Sequence, residues 1–267
     1  MGTLSRTWSL AKSSWAVIKL DRELLVIPII SAVVSLLVAA VFVVPMVLTS
    51  QDDESTSGLI FILGVLLVMA LTVVSVLFQG ALVFGAHERF TGGDPTIGSA
   101  IGGALSKFHR LLPWAILTAT VGMILRWVRE EMGFIGRILG SLLDTAWQVL
   151  TYLVVPIVMF EDRGPIDGVK RSSQLFKGTW GENLAARVGF GLLGFVLILP
   201  AVALFVVGAS SGFWPLIVVG VLWVIAVAVL MTAMNAVFQT ALYLYATTGS
   251  VPTGYTATDF TGSFGAK

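Results

Sequence analysis

From Leu24 to Thr49 the chain runs 26 residues without one charged side chain. A hydrocarbon core of about 30 Å takes roughly 20 apolar residues of helix to cross, so this stretch is long enough to span a bilayer. Five more follow: Gly58–Ala86, Leu111–Glu130, Ser141–Phe160, Asn183–Ala209 and Phe213–Ala246. The last is long enough to tilt or to extend past the membrane. Composition points the same way, because only 12% of residues are charged, where a soluble domain carries about 25%. The expected fold is an all-α polytopic transmembrane bundle of six spans, and a soluble enzyme is excluded. Segment 1–250 reads as one membrane domain.

The first span is much longer than the h-region of a cleavable signal and follows a long lead containing Asp21, Arg22 and Glu23, so the amino terminus is expected to be retained. Basic residues then set the orientation. The lead and the loops after even-numbered spans hold thirteen of the sixteen Lys and Arg, whereas the loops after odd-numbered spans hold Arg126, Arg129 and Arg137. Lys and Arg accumulate on the cytoplasmic side of membrane proteins. Both termini are therefore expected in the cytoplasm.

The chain also repeats itself. Pro95, Gly98, Leu105 and Lys107 recur as Pro165, Gly168, Leu175 and Lys177, each 70 residues later. Leu10, Lys12 and Trp15 lie over Leu175, Lys177 and Trp180. "FQGAL" (Phe78–Leu82) returns as "FQTAL" (Phe238–Leu242), with Trp147-Gln148 at the comparable place in span four. Same-period similarity signals a repeated structural unit. Here the units are about 1–86, 94–160 and 164–246, each a helical hairpin of two spans led by an amphipathic helix.

Spacing identifies those leads. Leu4, Trp8, Ala11, Trp15 and Ile18 share one face of a 3.6-residue helix, as do Ile97, Ile101, Leu105, Phe108 and Leu112. Ile166, Val169, Phe176 and Trp180 do so less regularly. Asp94-Pro95 suits an N-cap followed by proline. With Lys and Arg opposite the apolar stripe, such helices lie in the membrane interface. After Gly249 the sequence turns to Gly, Thr and Ser, and 251–267 is expected to be a disordered cytoplasmic tail.

Candidate functional residues are few. Zero cysteines and two histidines leave no basis for a disulfide framework or a multi-histidine metal cage, and no cofactor motif is present. Gln79, Gln148 and Gln239 are intramembrane amides that must find partners. Packed around a pseudo-threefold axis they would line a polar core with Asn235; as interhelical glue each contact contributes around 1 kcal/mol. Arg126 and Asp144 fall at similar depth on consecutive spans, which makes them a candidate intramembrane ion pair. Lys12, Lys19, Lys107, Arg110, Lys170, Arg171 and Lys177 are candidate contacts for anionic lipid headgroups. His87-Glu88-Arg89 and Glu161-Asp162-Arg163 close two returning spans, His109 lies on the polar side of its helix, and Pro200 is expected to kink span five. The glycines of "GGAL" (Gly102–Leu105) and "GFGLLG" (Gly189–Gly194) suit close helix packing.

The opening stretch carries a resemblance. Ser5-Arg6-Thr7-Trp8, then Lys12-Ser13-Ser14-Trp15, then Asp21-Arg22-Glu23-Leu24 resemble the start of an uncharacterised family of prokaryotic six-span membrane proteins. That resemblance implies a bacterial or archaeal cytoplasmic membrane and supplies no activity. A looser similarity is to the membrane region preceding some glycerophosphodiester phosphodiesterases, whose catalytic domain is absent here. Function is accordingly expected to be non-catalytic: a scaffold or accessory protein binding anionic lipids or a membrane or cytoplasmic protein partner, without nucleic acid. The alternative is a small-molecule carrier or channel with a path lined by the glutamines.

Overall fold

The computed structural model describes residues 3–49, 57–180, 190–256 and 260. The expected start of span five at Asn183, the acidic Asp52, Asp53 and Glu54, and most of the tail lie outside them. The described residues form ten helices and no strand: α1 Thr3–Leu20, α2 Glu23–Thr49, α3 Ser57–Phe90, α4 Ile97–Ser106, α5 Phe108–Glu131, α6 Gly133–Thr151, α7 Val154–Phe160, α8 Pro165–Trp180, α9 Phe190–Ser211 and α10 Trp214–Thr248. Six membrane-spanning candidates result, the fourth being α6 and α7 together. The protein is an all-α, multi-pass membrane protein by helix length and apolarity.

Consecutive spans pack on each other, α2 on α3, α5 on α6 and α9 on α10, while α3 and α10 also touch across the molecule. Gly133 and Gly212 turn the chain between α5 and α6 and between α9 and α10 at φ 57° and 68°, a region that costs a side-chain-bearing residue energy. The buried core lies toward the end that carries α1, α4, α7 and α8, with Ile18, Leu24, Val83, Ile157 and Leu242 almost fully enclosed. At the other end Leu36, Phe61, Val206 and Leu222 stand exposed on their helices. In water such a surface would aggregate; against acyl chains it is the expected covering.

The lead helices differ from the spacing expectation in how they are used. In α1 the enclosed positions are Ala11, Ser14, Val17 and Ile18, while Trp15 remains 36% exposed. In α4 they are Ala100 and Ala104, and Leu105 points outward. Small side chains therefore seat α4 on the bundle, and in α1 Ala11 and Ser14 do so together with Val17 and Ile18, while Trp15 and Leu105 stand exposed. The second stripe is not one helix either. The backbone at Lys107 leaves helical geometry (φ −102°, ψ 9°), ending α4 and starting α5 at Phe108.

Span four is broken as well. The expected continuous helix over Ser141–Phe160 stops at Thr151 and resumes at Val154. Pro156 explains the break: a proline lacks the N–H that would bond the carbonyl four residues earlier, that of Tyr152. Span five, in contrast, stays helical through Pro200.

The start of the tail also departs from the expectation of disorder. Gly249 caps α10 in the left-handed region, and the chain then folds back. Tyr255 is buried and shares a 2.7 Å hydrogen bond with Ser14, while Phe260 stacks on Tyr245 at 4.7 Å between ring centroids. Two aromatic anchors outweigh the Gly and Thr around them, since a buried ring removes a large apolar area from solvent. Residues 257–259 and 261–267 lie outside the described set.

Candidate functional site

The broken span creates a polar node inside the bundle. With the Tyr152 carbonyl released by Pro156, the side-chain amide of Gln239 on α10 donates to it. Gln239 is 2% exposed, and its own carbonyl oxygen accepts from the amide of Gln79 on α3 at 3.1 Å. On the other side of the break, the Leu153 N–H donates to Ser172 Oγ of α8 at 3.3 Å. The Tyr152 hydroxyl donates to Asn235 Oδ1 at 2.7 Å. Four helices thus meet around one interrupted turn, with its exposed backbone groups satisfied by side chains. Irregular backbone at membrane depth is tolerated where protein supplies such partners.

This node contains three of the four expected polar-core residues. Gln79, Gln239 and Asn235 come together; Gln148 does not, because it lies on an exposed face of α6. A threefold glutamine cluster is therefore not what the packing makes. The reason is that α6 packs mainly against α5 and α8. Sequence reading missed Tyr152, Ser172 and Pro156. The proline was the available signal, since it fixes which carbonyl must look for a donor.

The expected Arg126–Asp144 pair is also replaced. Asp144 lies 3.6 Å from Arg129, and Arg126 is exposed. The tight turn at Gly133 sets α6 antiparallel to α5 in a register that brings Arg129 to it. A Cβ built on Gly140 would sit 2.2 Å from Arg129 Cγ, so the arginine stem crosses α6 over that glycine to reach the carboxylate one turn on.

Charges concentrate at the opposite end, the one that carries α1, α4, α7 and α8. Arg89, at the end of α3, forms a bidentate pair with the buried Asp21 between α1 and α2, and reaches Asp94 at 2.9 Å. Glu23 accepts from the Ile97 N–H at the start of α4 at 2.9 Å, a carboxylate at a helix N-terminus where the helix dipole favours it. A second cluster has the opposite polarity. Asp162, at φ 55° between α7 and α8, receives Lys107 at 2.9 Å and Arg110, both from the α4–α5 junction. The Lys107 ammonium, with Arg110 beside it, holds the Asp162 carboxyl below the usual carboxylate range. Glu161 takes Arg163 and Arg171 at 2.9 and 3.1 Å. His87 stacks on Phe160 with ring centroids 4.2 Å apart, joining the end of α3 to the end of α7.

The seven candidate lipid-contacting cations therefore divide. Lys107, Arg110 and Arg171 are engaged with Asp162 or Glu161, and Lys170 with Asp167 at 3.6 Å. Lys12, Lys19 and Lys177 are exposed, and among the described residues no carboxylate pairs with them. Lys19 stands 5.5 Å from the Trp15 ring.

The model of DUF6159, a family of unknown function, matches residues 56–254, most of the chain. The chain belongs to that family. In this DUF6159 protein the match takes in the whole polar node and the second charge cluster, whereas the opening Ser5–Trp15 motif precedes it. No curated protein and no solved structure matches the chain.

Proposed function

We propose that this DUF6159 protein is a non-catalytic lipid-binding scaffold of a prokaryotic cytoplasmic membrane, with its charged end and both termini in the cytoplasm. The observation that carries the reading is the partition of its cations. Four are paired with acids of the chain itself, leaving Lys12, Lys19 and Lys177 exposed and unpaired among the described residues on the lead helices, beside a partly exposed Trp15. Tryptophan favours the headgroup level, and each nearby Lys attracts an anionic leaflet by about 1 kcal/mol. The carrier reading is weakened, because Gln148 stands apart and Gln79 and Gln239 bond each other.

Native mass spectrometry of the protein extracted from its own membrane tests this. Lys12→Gln, Lys19→Gln and Lys177→Gln together are expected to lower retained anionic lipid at least tenfold. Lys170→Gln, already paired, is expected to change little. Equal lipid retention by the triple variant and the parent rejects the scaffold reading as stated.

A further inference from the structure

A second feature is independent of the charged end. Between α2, α3, α9 and α10 lies a cleft of about 730 Å³, within the ~300–1,000 Å³ of ligand pockets. No ionisable side chain lines it, and its wall is mostly apolar. Five polar residues nevertheless reach it: Ser31, Ser75, Gln79, Thr232 and Asn235.

Their hydrogen bonding is what points to a ligand. Hydroxyls on apolar helices ordinarily satisfy themselves on the carbonyl four residues back. Thr72 bonds the Val68 carbonyl and Thr240 that of Ala236 in this way. Among the described residues the hydroxyls of Ser31, Ser75 and Thr232 have no such bond and no other partner. Asn235 is oriented by the Tyr152 hydroxyl on its oxygen, which leaves its amino group for the cleft. Three O–H groups and one NH2 thus offer donors into an apolar space, where an unanswered polar group costs several kcal/mol. Gln79, whose NH2 is given to Gln239, adds one fixed acceptor in its carbonyl oxygen, so donors predominate and the complement is an uncharged molecule that brings mainly acceptors.

Depth narrows the class. Ser31 lies eight residues past Glu23 and Ser75 twelve before His87, placing them about 12 and 18 Å along their helices from the charged end. A glycerolipid keeps its ester and headgroup oxygens near the membrane boundary, above this level. We infer that the cleft binds a neutral, lipid-dissolved dicarbonyl compound of the quinone type, its carbonyl oxygens accepting from Ser31, Ser75, Thr232 and Asn235 and its apolar tail leaving through the open side. Phe195, exposed at the cleft, offers a face for the ring.

Photolabelling of the full chain in lipid nanodiscs with an azido-substituted decylquinone tests the assignment, with unlabelled decylquinone and dioctanoylglycerol as competitors. Label is expected on peptides of α3 and α10 and to be displaced by decylquinone alone. Ala228→Phe, which fills the cleft, and Thr232→Val, which removes one donor at constant shape, are expected to reduce labelling, the first at least tenfold and the second about fivefold. Leu142→Phe, on the exposed face of α6, is expected to leave it unchanged. Label spread evenly over α6, labelling indifferent to both cleft variants, or displacement by dioctanoylglycerol as effective as by decylquinone overturns the inference. None of these outcomes bears on the lysine-dependent lipid retention, so the two proposals fail separately.

Discussion

The side-chain amide of Gln239 bonds the backbone carbonyl of Tyr152, the one carbonyl that Pro156 deprives of its helical partner. A glutamine in one span thus completes the backbone of another. The same glutamine accepts from Gln79, so the node joins α3, α6–α7 and α10 through a single side chain. A polar group so enclosed and so fully used is a structural device. Its two hydrogen bonds account for why an amide stands in an otherwise apolar helix.

That relationship makes a prediction about coupling. Gln239→Leu strands the Tyr152 carbonyl in an apolar setting and is expected to destabilise the fold by about 1–3 kcal/mol. Pro156→Ala restores an N–H at position 156 that can take the same carbonyl. In that background the cost of Gln239→Leu is expected to shrink by about 1 kcal/mol, a non-additivity of the size seen between directly interacting residues. Unfolding of the two single variants and the double variant in mixed micelles measures it. Strict additivity removes the link between the proline and the glutamine.

Much of this architecture is legible in the amino-acid sequence. Apolar run length marked all six spans, and the matched "FQGAL" and "FQTAL" contain the two glutamines that bond each other. What the sequence concealed was tertiary. Gln148 matches the other glutamines in chain position, yet which face of α6 meets the bundle depends on its packing against α5 and α8. Arg126 and Arg129 are one turn apart, so a shift in the α5–α6 turn decides between them. The tail shows how composition misleads: Gly and Thr make up half of 251–256, but Tyr255 and Phe260 decide where the chain goes. Charges at the span ends read as simple boundaries because their partners lie far away in sequence, as Asp21 does from Arg89.

The Arg129–Asp144 pair separates the two arginines experimentally. Arg129 and Asp144 are each about one-third exposed, at 37% and 34% of the side chain, so their pairing is worth little more than a surface bridge. Arg129→Gln and Asp144→Asn are each expected to cost about 0.5–1 kcal/mol, and together no more than either alone. Arg126→Gln is expected to be neutral. Thermal melts in detergent decide it, and a cost confined to Arg126→Gln would return the pairing to the residue suggested by depth alone.

Adjacent glycines in α4 should respond with opposite sign. A Cβ on Gly103 would stand 2.5 Å from the Phe84 ring of α3, whereas one on Gly102 meets nothing within 4 Å. Gly103→Ala is therefore expected to destabilise by about 1–3 kcal/mol through overpacking, and Phe84→Leu to relieve part of that cost. Gly102→Ala, in an unobstructed helical position, is expected to stabilise by about 0.4–1 kcal/mol by restricting the unfolded chain. Equal effects of the two substitutions on the melting temperature count against the seating of α4 on α3.

The charge cluster at Asp162 makes stability depend on pH. Its carboxyl is held below the usual range chiefly by the Lys107 hydrogen bond, with the Arg110 charge adding to it. A carboxylate with a lowered folded-state pKa stabilises fully above its unfolded value, about 3.9, and loses that contribution as pH falls through the folded value. Asp162→Asn removes the titration while keeping a residue that tolerates the left-handed backbone at φ 55°. The parent is therefore expected to melt above the variant by a constant margin between pH 5 and 8, roughly, with the margin closing below about pH 4. Because Asp162 is largely solvent-exposed, added salt should shrink the margin at neutral pH. Melting curves of both proteins across that pH range check it, and a margin that widens toward acid would assign the stabilisation to some group other than this carboxylate.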